Sequence, residues 1–186
     1  MYSTADFKKG LKIVFNNEPY EIVDFQHVKM GRGGAIVRTK MKNLKTGYIM
    51  ENTFRSGEKV EKPELEDRNM QYLYSSEDGY IFMDNENYEQ ITVSEDLIGE
   101  AKNWIVENMN VTVNFFQGKV IGVEIPTFVE LRVIETVPGI KGDTVSGGGK
   151  PAKVETGAVV NVPLFVNEGD VIKIDTRTGT YIERVK

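Results

Sequence analysis

Apolar positions in this chain come in short runs, many of them β-branched, separated by clusters of Gly, Asn, Asp and Ser. That pattern predicts mainly β structure. It is clearest over residues 35–43, where Val37, Thr39 and Met41 alternate with Arg38, Lys40 and Lys42. Period two with one cationic face describes a half-buried strand that turns its charges to solvent or to a partner. A merely solvated face gives the same pattern. Further strands are expected over residues 12–15, 18–28 and 48–54, turned at Asn16-Asn17 and at Leu44-Lys45-Thr46-Gly47. This first segment reads as a small barrel.

A second group of strands is expected over residues 70–74 and 80–83, around the turn Ser75-Ser76-Glu77-Asp78-Gly79. Strands over 111–116 and 120–125 follow, turned at Gln117-Gly118. Between the two pairs, residues 94–109 carry helical spacing. Ser94 suits an N-cap, Glu95-Asp96 suit the positive end of a helix dipole, and Leu97, Ala101, Trp104, Ile105 and Met109 make one apolar stripe facing a core. A barrel of about five strands with one helix between strands is OB-like. The last segment predicts strands over 128–135, 159–166, 171–175 and 180–185, a hairpin turn at Thr176-Arg177-Thr178-Gly179 and a long loop over 138–151. It is again a β unit of OB size. Composition shifts at Lys62-Pro63-Glu64 and at Pro126 divide the chain into domains 1–63, 64–127 and 128–186.

Charge separates these segments. The chain has 186 residues and net charge −5, yet residues 1–62 carry 12 Lys/Arg against 7 Asp/Glu, and residues 63–127 carry 3 against 13. A basic head on an acidic waist suggests that the head meets an anionic partner. There are no cysteines, so disulfide and thiolate chemistry are excluded. The apolar run Leu11-Lys12-Ile13-Val14-Phe15 is too short for a signal core, and no stretch approaches membrane-spanning length. The expectation is a soluble cytoplasmic protein without membrane association.

No constellation for catalysis emerges. His27 is the sole histidine and lies on a predicted strand, so no His/Cys cluster offers a metal site. Gly149-Lys150 has the flavour of a phosphate loop, but Thr144 stands where its first glycine belongs and Pro151 where Ser or Thr should follow. The acidic pairs Glu86/Glu89 and Glu95/Asp96 lie in a strongly acidic stretch and read as solvated charge. The expectation is therefore a binding protein, not an enzyme, with no cofactor and no metal.

The binding candidate is Lys29-Met30-Gly31-Arg32-Gly33-Gly34-Ala35, one long cation among glycines at the turn of a long hairpin. An eight-residue arm over 21–28 would reach roughly 25 Å. Glycine leaves little bulk around Arg32, and arginine offers five donors to phosphate or base edges. An ordinary flexible turn with a solvated arginine fits the same residues.

The whole chain resembles bacterial elongation factor P. The resemblance rests on Asp24-Phe25-Gln26-His27-Val28-Lys29, the Gly31-Arg32-Gly33 tip and Asn43-Leu44-Lys45-Thr46-Gly47 in the first segment. Gln71-Tyr72-Leu73-Tyr74 and Tyr80-Ile81-Phe82-Met83-Asp84 carry it through the middle. Near the end it rests on Pro138-Gly139-Ile140-Lys141-Gly142-Asp143-Thr144, Gly149-Lys150-Pro151-Ala152 and the stretch from Val162-Pro163-Leu164-Phe165 to Arg184-Val185. The archaeal and eukaryotic relative, initiation factor five A, would lack the third domain.

The resemblance implies an all-β protein of three small barrels in an L-shaped, tRNA-like arrangement. The first is an SH3-like (KOW-like) barrel and the other two are OB-folds. It implies a factor that binds the 70S ribosome between the peptidyl-tRNA and exit sites, stimulates peptide bond formation and relieves stalling at consecutive prolines, acting as a monomer. Arg32 takes the tip position near the peptidyl-tRNA acceptor end. Lys29, Gly31, Gly33, Arg38, Lys40 and Lys42 become tRNA and ribosomal RNA contacts. Gly142, Asp143 and Thr144 match the loop that approaches the small subunit and exit-site codon, and Tyr181 and Arg184 fall at supporting C-terminal positions. Many members carry lysine at the tip and proline two residues earlier, where this chain has Arg32 and Met30. Arginine-tip members can be rhamnosylated on the guanidinium by a modifying enzyme, which makes Arg32 a candidate modification site. The surrounding segments look more like the lysine branch, so its modification stays open. A paralogue with a different message preference and a general RNA-binding module remain the alternatives.

Overall fold

The computed structural model describes residues 1–139 and 148–186, and the chain divides into two compact units. One comprises Met1–Asp67 with Asn114–Gly122, the other Arg68–Val113 with Val123–Lys186. Strands dominate both.

In the first unit, β1 (Tyr2–Ser3) pairs with β6 (Lys59–Val60), and β2 (Lys12–Phe15), β3 (Glu18–Met30), β4 (Gly34–Asn43) and β5 (Ile49–Arg55) form a sheet in chain order. Asn16 and Asn17 take φ of 51° and 63°, the left-handed pair that a two-residue hairpin turn requires and that asparagine tolerates. The predicted alternation on β4 holds: Val37, Thr39 and Met41 are buried while Arg38, Lys40 and Lys42 are exposed. The buried face packs with Phe7, Ile13, Tyr20, Ile22 and Phe54. Phe54 takes Phe7 and Phe15 edge-on at 5.3 and 5.8 Å between ring centroids, a favoured aromatic geometry. At the closed end of the β4–β5 hairpin, buried Asn43 accepts from the amides of Lys45 and Thr46 and donates to Glu18, so its side chain closes the turn.

The middle strands are β7 (Leu65–Ser76), β8 (Gly79–Asp84), β9 (Gln90–Val93), β10 (Asn110–Phe116) and β11 (Lys119–Glu124), ordered β11-β10-β7-β8-β9. The long helix expected over 94–109 is absent. Ser94 does cap a helix, accepting from Leu97 N–H, but α1 (Glu95–Ile98) lasts one turn and passes into a 3-10 stretch, Gly99–Asn103. Gly99 (φ 53°, ψ −135°) breaks the helix, and Asn108 at φ 70° turns the chain again. The apolar residues serve different neighbours. Trp104 packs into the last core with Val129, Leu131 and Ile172, and Thr156 donates to the Asn103 carbonyl at 2.6 Å. Burial of one large aromatic outweighs helix propensity over a glycine-containing segment.

The last strands are β12 (Phe128–Thr136), β13 (Gly149–Val154), β14 (Val159–Pro163), β15 (Val171–Asp175) and β16 (Thr180–Arg184), ordered β14-β13-β12-β15-β16. β13 begins inside the loop expected over 138–151. Lys150 faces the core side of β13 beside Ala152 and Val154, and its ammonium donates to the Val137 carbonyl. A lysine spent on its own hairpin explains physically why Gly149-Lys150 is no phosphate loop. At the β15–β16 turn, Arg177 gives its backbone N–H and a two-pronged guanidinium contact to Asp175.

Two outcomes follow from this packing. Gly79 has φ 139°, and a Cβ there would lie 2.3 Å from the Val93 carbonyl oxygen, so Gly79→Ala should cost about 1–3 kcal/mol in urea unfolding. The hydrogen bonds from Arg177 hold the Asp175 carboxyl below its ordinary 3.8. A depressed folded-state value means that the pairing stabilises above the unfolded value and is lost as pH falls through the folded one. Arg177→Met should raise the Asp175 titration midpoint in a carbon-detected NMR titration and lower stability above about pH 4, with the difference from wild type vanishing as the pH falls further.

Candidate nucleic-acid interface

The tip grows out of β-sheet register. β3 and β4 pair from Tyr20↔Asn43 to Met30↔Gly34, with a bulge between Ile22 and Asp24 that adds local twist. β2 covers the outer edge of β3 only as far as Glu21, whereas β5 supports β4 up to Ile36↔Arg55. Ser56 N–H then donates to the Ala35 carbonyl at 2.9 Å. The arm expected over 21–28 is thus part of a ledge braced for most of its length. Only residues 29–35 project beyond the third strand.

Gly33 and Gly34 take φ of 139° and 83° and make the turn, while Gly31 does not have positive φ. A Cβ built on any of the three meets nothing within 4 Å, so no neighbouring atoms crowd the backbone there. Arg32 is exposed, and among the described residues it has no hydrogen-bond or ion-pair partner. Lys29, opposite Ala35, and Met30 are also exposed. Three apolar or charged side chains therefore surround a turn with no internal purpose for them.

Behind the tip, the exposed face of β3, β4 and β5 is organised in cross-strand rows. Gln26, Arg38 and Thr53 form one, and Asp24, Lys40 and Glu51 the next. The two rows line a shallow basin of about 510 Å³. Lys40 sits between two carboxylates and pairs with Glu51 at 3.8 Å, so much of its charge is balanced locally. Arg38 has an amide and a hydroxyl as cross-strand neighbours, so no carboxylate opposes its charge in its own row. Lys42 lies between Glu21 and Ile49. These partners, Gln26 and Thr53 above all, escaped the sequence reading, because they become visible only once register is known. His27 stacks edge-on against Phe25 at 5.6 Å and is exposed.

The remaining sequence candidates lie elsewhere in the fold. Tyr181 opposes Ile174 and packs partly buried against the last core. The Arg184 guanidinium lies 4.9 Å from the centroid of the Phe165 ring, donates to the Phe165 carbonyl and pairs with Asp170 at 3.7 Å. Gly142, Asp143 and Thr144 fall outside the described residues. Among the described residues, no group of three or more His, Cys, Asp and Glu could hold a metal ion, and no helix is long and apolar enough to cross a membrane.

Comparison with known proteins converges on one family. The elongation factor P KOW-like domain matches residues 3–60, its OB domain residues 65–123, and its C-terminal domain residues 129–184. Elongation factor P of Thermodesulfovibrio yellowstonii is 59% identical over 186 residues, and that of Pelotomaculum thermopropionicum 57% over 185, with 100% of each chain covered in both cases. Initiation factor 5A of Methanococcus jannaschii aligns with TM-score 0.50 at 25% identity, over 66% of this chain and 94% of its own. An initiation factor 5A family protein of Naegleria fowleri, at 19% identity, shares the fold with TM-score 0.52 over 67% of this chain. With a KOW-like barrel followed by OB-type barrels and whole-length identity above half, the chain belongs to the elongation factor P family of translation elongation factors.

Proposed function

We propose that this factor enters the ribosome between the peptidyl-tRNA and exit sites and speeds peptide bond formation at consecutive prolines. The observation that carries this reading is Arg32, an unpartnered cation held at the end of a braced two-stranded ledge. Proline reacts poorly because its ring fixes φ and constrains the amine. The ribosome supplies the chemistry, and the factor supplies position. Arg32 donates to the backbone near the acceptor end of the peptidyl-tRNA and holds it close to a reactive geometry. A gain of about 1.4 kcal/mol in that positioning is tenfold in rate. The braced sheet matters because a free ribbon would pay ordering entropy on each encounter.

Lys29, Arg38 and Lys42 supply phosphate contacts behind the tip, with Gly31 and Gly33 letting RNA approach the backbone, and Lys40 contributes less because Glu51 already balances it. Gly142, Asp143 and Thr144 meet the small subunit at the exit-site codon. Tyr181 and Arg184 hold the last barrel in shape for that contact. On this reading the protein is a cytoplasmic monomer, divided functionally at 1–63, 64–127 and 128–186, that performs no chemistry itself. Arg32 is accessible to a modifying enzyme, and an intact mass of the native protein, mapped to that residue, decides whether it is rhamnosylated.

In a reconstituted translation system, Arg32→Ala should slow synthesis across a polyproline message at least tenfold while leaving a proline-free message unchanged. Because the tip packs against nothing, the same substitution should shift folding stability by less than about 0.5 kcal/mol. Equal polyproline rates for wild type and Arg32→Ala would remove the tip from the mechanism.

A further inference from the structure

The first unit carries a second group of cations far from the tip. Lys12 opens β2 opposite Glu21, nine positions before Met30 along β3, so it lies roughly 30 Å from the turn. Around it, three stretches of chain line an open trough of about 420 Å³. Tyr2, Leu11, Pro63 and Leu65 provide apolar lining. Lys8, Lys12 and Lys62 are the charged groups that line it, and no carboxylate does.

The walls are fixed by the backbone. Tyr2 pairs with Val60, Val14 N–H donates to the Glu61 carbonyl at 2.9 Å, and the turn closes with Leu11 N–H on the Lys8 carbonyl at 3.1 Å. Gly10, at φ 91°, makes that turn and donates to the Ile22 carbonyl at 2.8 Å. All three lysines are exposed and none has an ion-pair partner among the described residues. Elsewhere in the unit, Lys40 and Lys45 are paired with Glu51 and Glu18. Glu21 faces Lys12 across the β2–β3 pair and reaches the Gly10 side of the trough, so it offsets part of the charge; the three ammonium groups still outnumber it, and an anionic ligand would relieve their repulsion.

We propose that this trough is a second RNA site, which takes one unstacked nucleotide of a single-stranded segment. The base lies against Tyr2 and Leu65, which are half-buried, and the flanking phosphates lie on Lys8, Lys12 and Lys62. The volume falls within the range of ligand pockets. The part of the Tyr2 ring left outside the core accepts the π-face of any base, and lysines track a phosphate backbone as point charges. A tyrosine ring beside the cations suits a nucleotide, which brings a planar base together with its phosphates, better than an acidic peptide, whose charges come without one. The site rests on the ribosomal reading above only for the source of the RNA.

The full-length protein, titrated with the pentanucleotide of uridine and followed by amide NMR, tests it. The expected result is shifts at Leu11, Lys12 and Leu65, and binding at least tenfold weaker in Lys12→Gln/Lys62→Gln. The dependence of log affinity on log salt should have a slope of about −2 in the wild type, flattened by about 1.4 in that variant. Arg32→Ala should leave these shifts within twofold. Shifts confined to the hairpin, a glutamate peptide binding as tightly, or inorganic phosphate reproducing the Leu11 and Leu65 shifts alone would each overturn the proposal. A factor that fails to rescue polyproline synthesis would overturn the ribosomal reading and leave this binding result standing.

Discussion

The β3–β4 register is the constraint on which the rest of the first unit depends. Side chains alternate along a strand, so a slip of one residue would bring Arg38, Lys40 and Lys42 into the core and expel Val37, Thr39 and Met41. The buried face of β4, with Val37 and Met41 fully buried, forbids that slip. The same register places Met30 opposite Gly34 and leaves Arg32 at the turn. Hydrophobic burial at one end of a hairpin thereby sets the position of a charge at the other.

Register also decides which cations are available. A list of lysines and arginines counts Lys40 and Arg38 alike. In the sheet, one stands between carboxylates and the other between an amide and a hydroxyl. The first unit is therefore less uniformly basic than its composition suggests. Among the described residues, Arg32 at the hairpin tip and Lys8, Lys12 and Lys62 around the trough have no ion-pair partner, although Glu21 stands opposite Lys12.

The segment after Ser94 shows the opposite balance of local and tertiary forces. Its cap and acidic first turn start a helix as the residues demand, and one turn forms. Continuing it would carry Trp104 along a helical face. The chain instead breaks at Gly99 and sends Trp104 into the last core, where its ring also stands 3.3 Å from the position a Cβ on Gly179 would occupy. A glycine at that hairpin leaves room for the indole. Local preference wins for four residues, and a buried aromatic decides the next six.

Patterning and turn chemistry alone made most of the strands legible: β2 and β15 match residue for residue, and Asn16-Asn17 forms the turn it suggests. The glycine-flanked Arg32 was legible for the same reason, since an exposed tip needs no partner to be recognised. The two-residue strands β1 and β6 were missed because they carry no periodicity, and β9 and β13 because they stand in polar or glycine-rich stretches without an apolar run. What the sequence determined by itself was therefore local: where the chain alternates, where it turns and which residues stand at the tip. The bracing of β4 by β5, the neutralisation of Lys40, the fate of Trp104 and the gathering of Lys8, Lys12 and Lys62 around one trough depended on tertiary structure. Each joins residues far apart in the chain, and only strand pairing and core packing bring them within reach of one another.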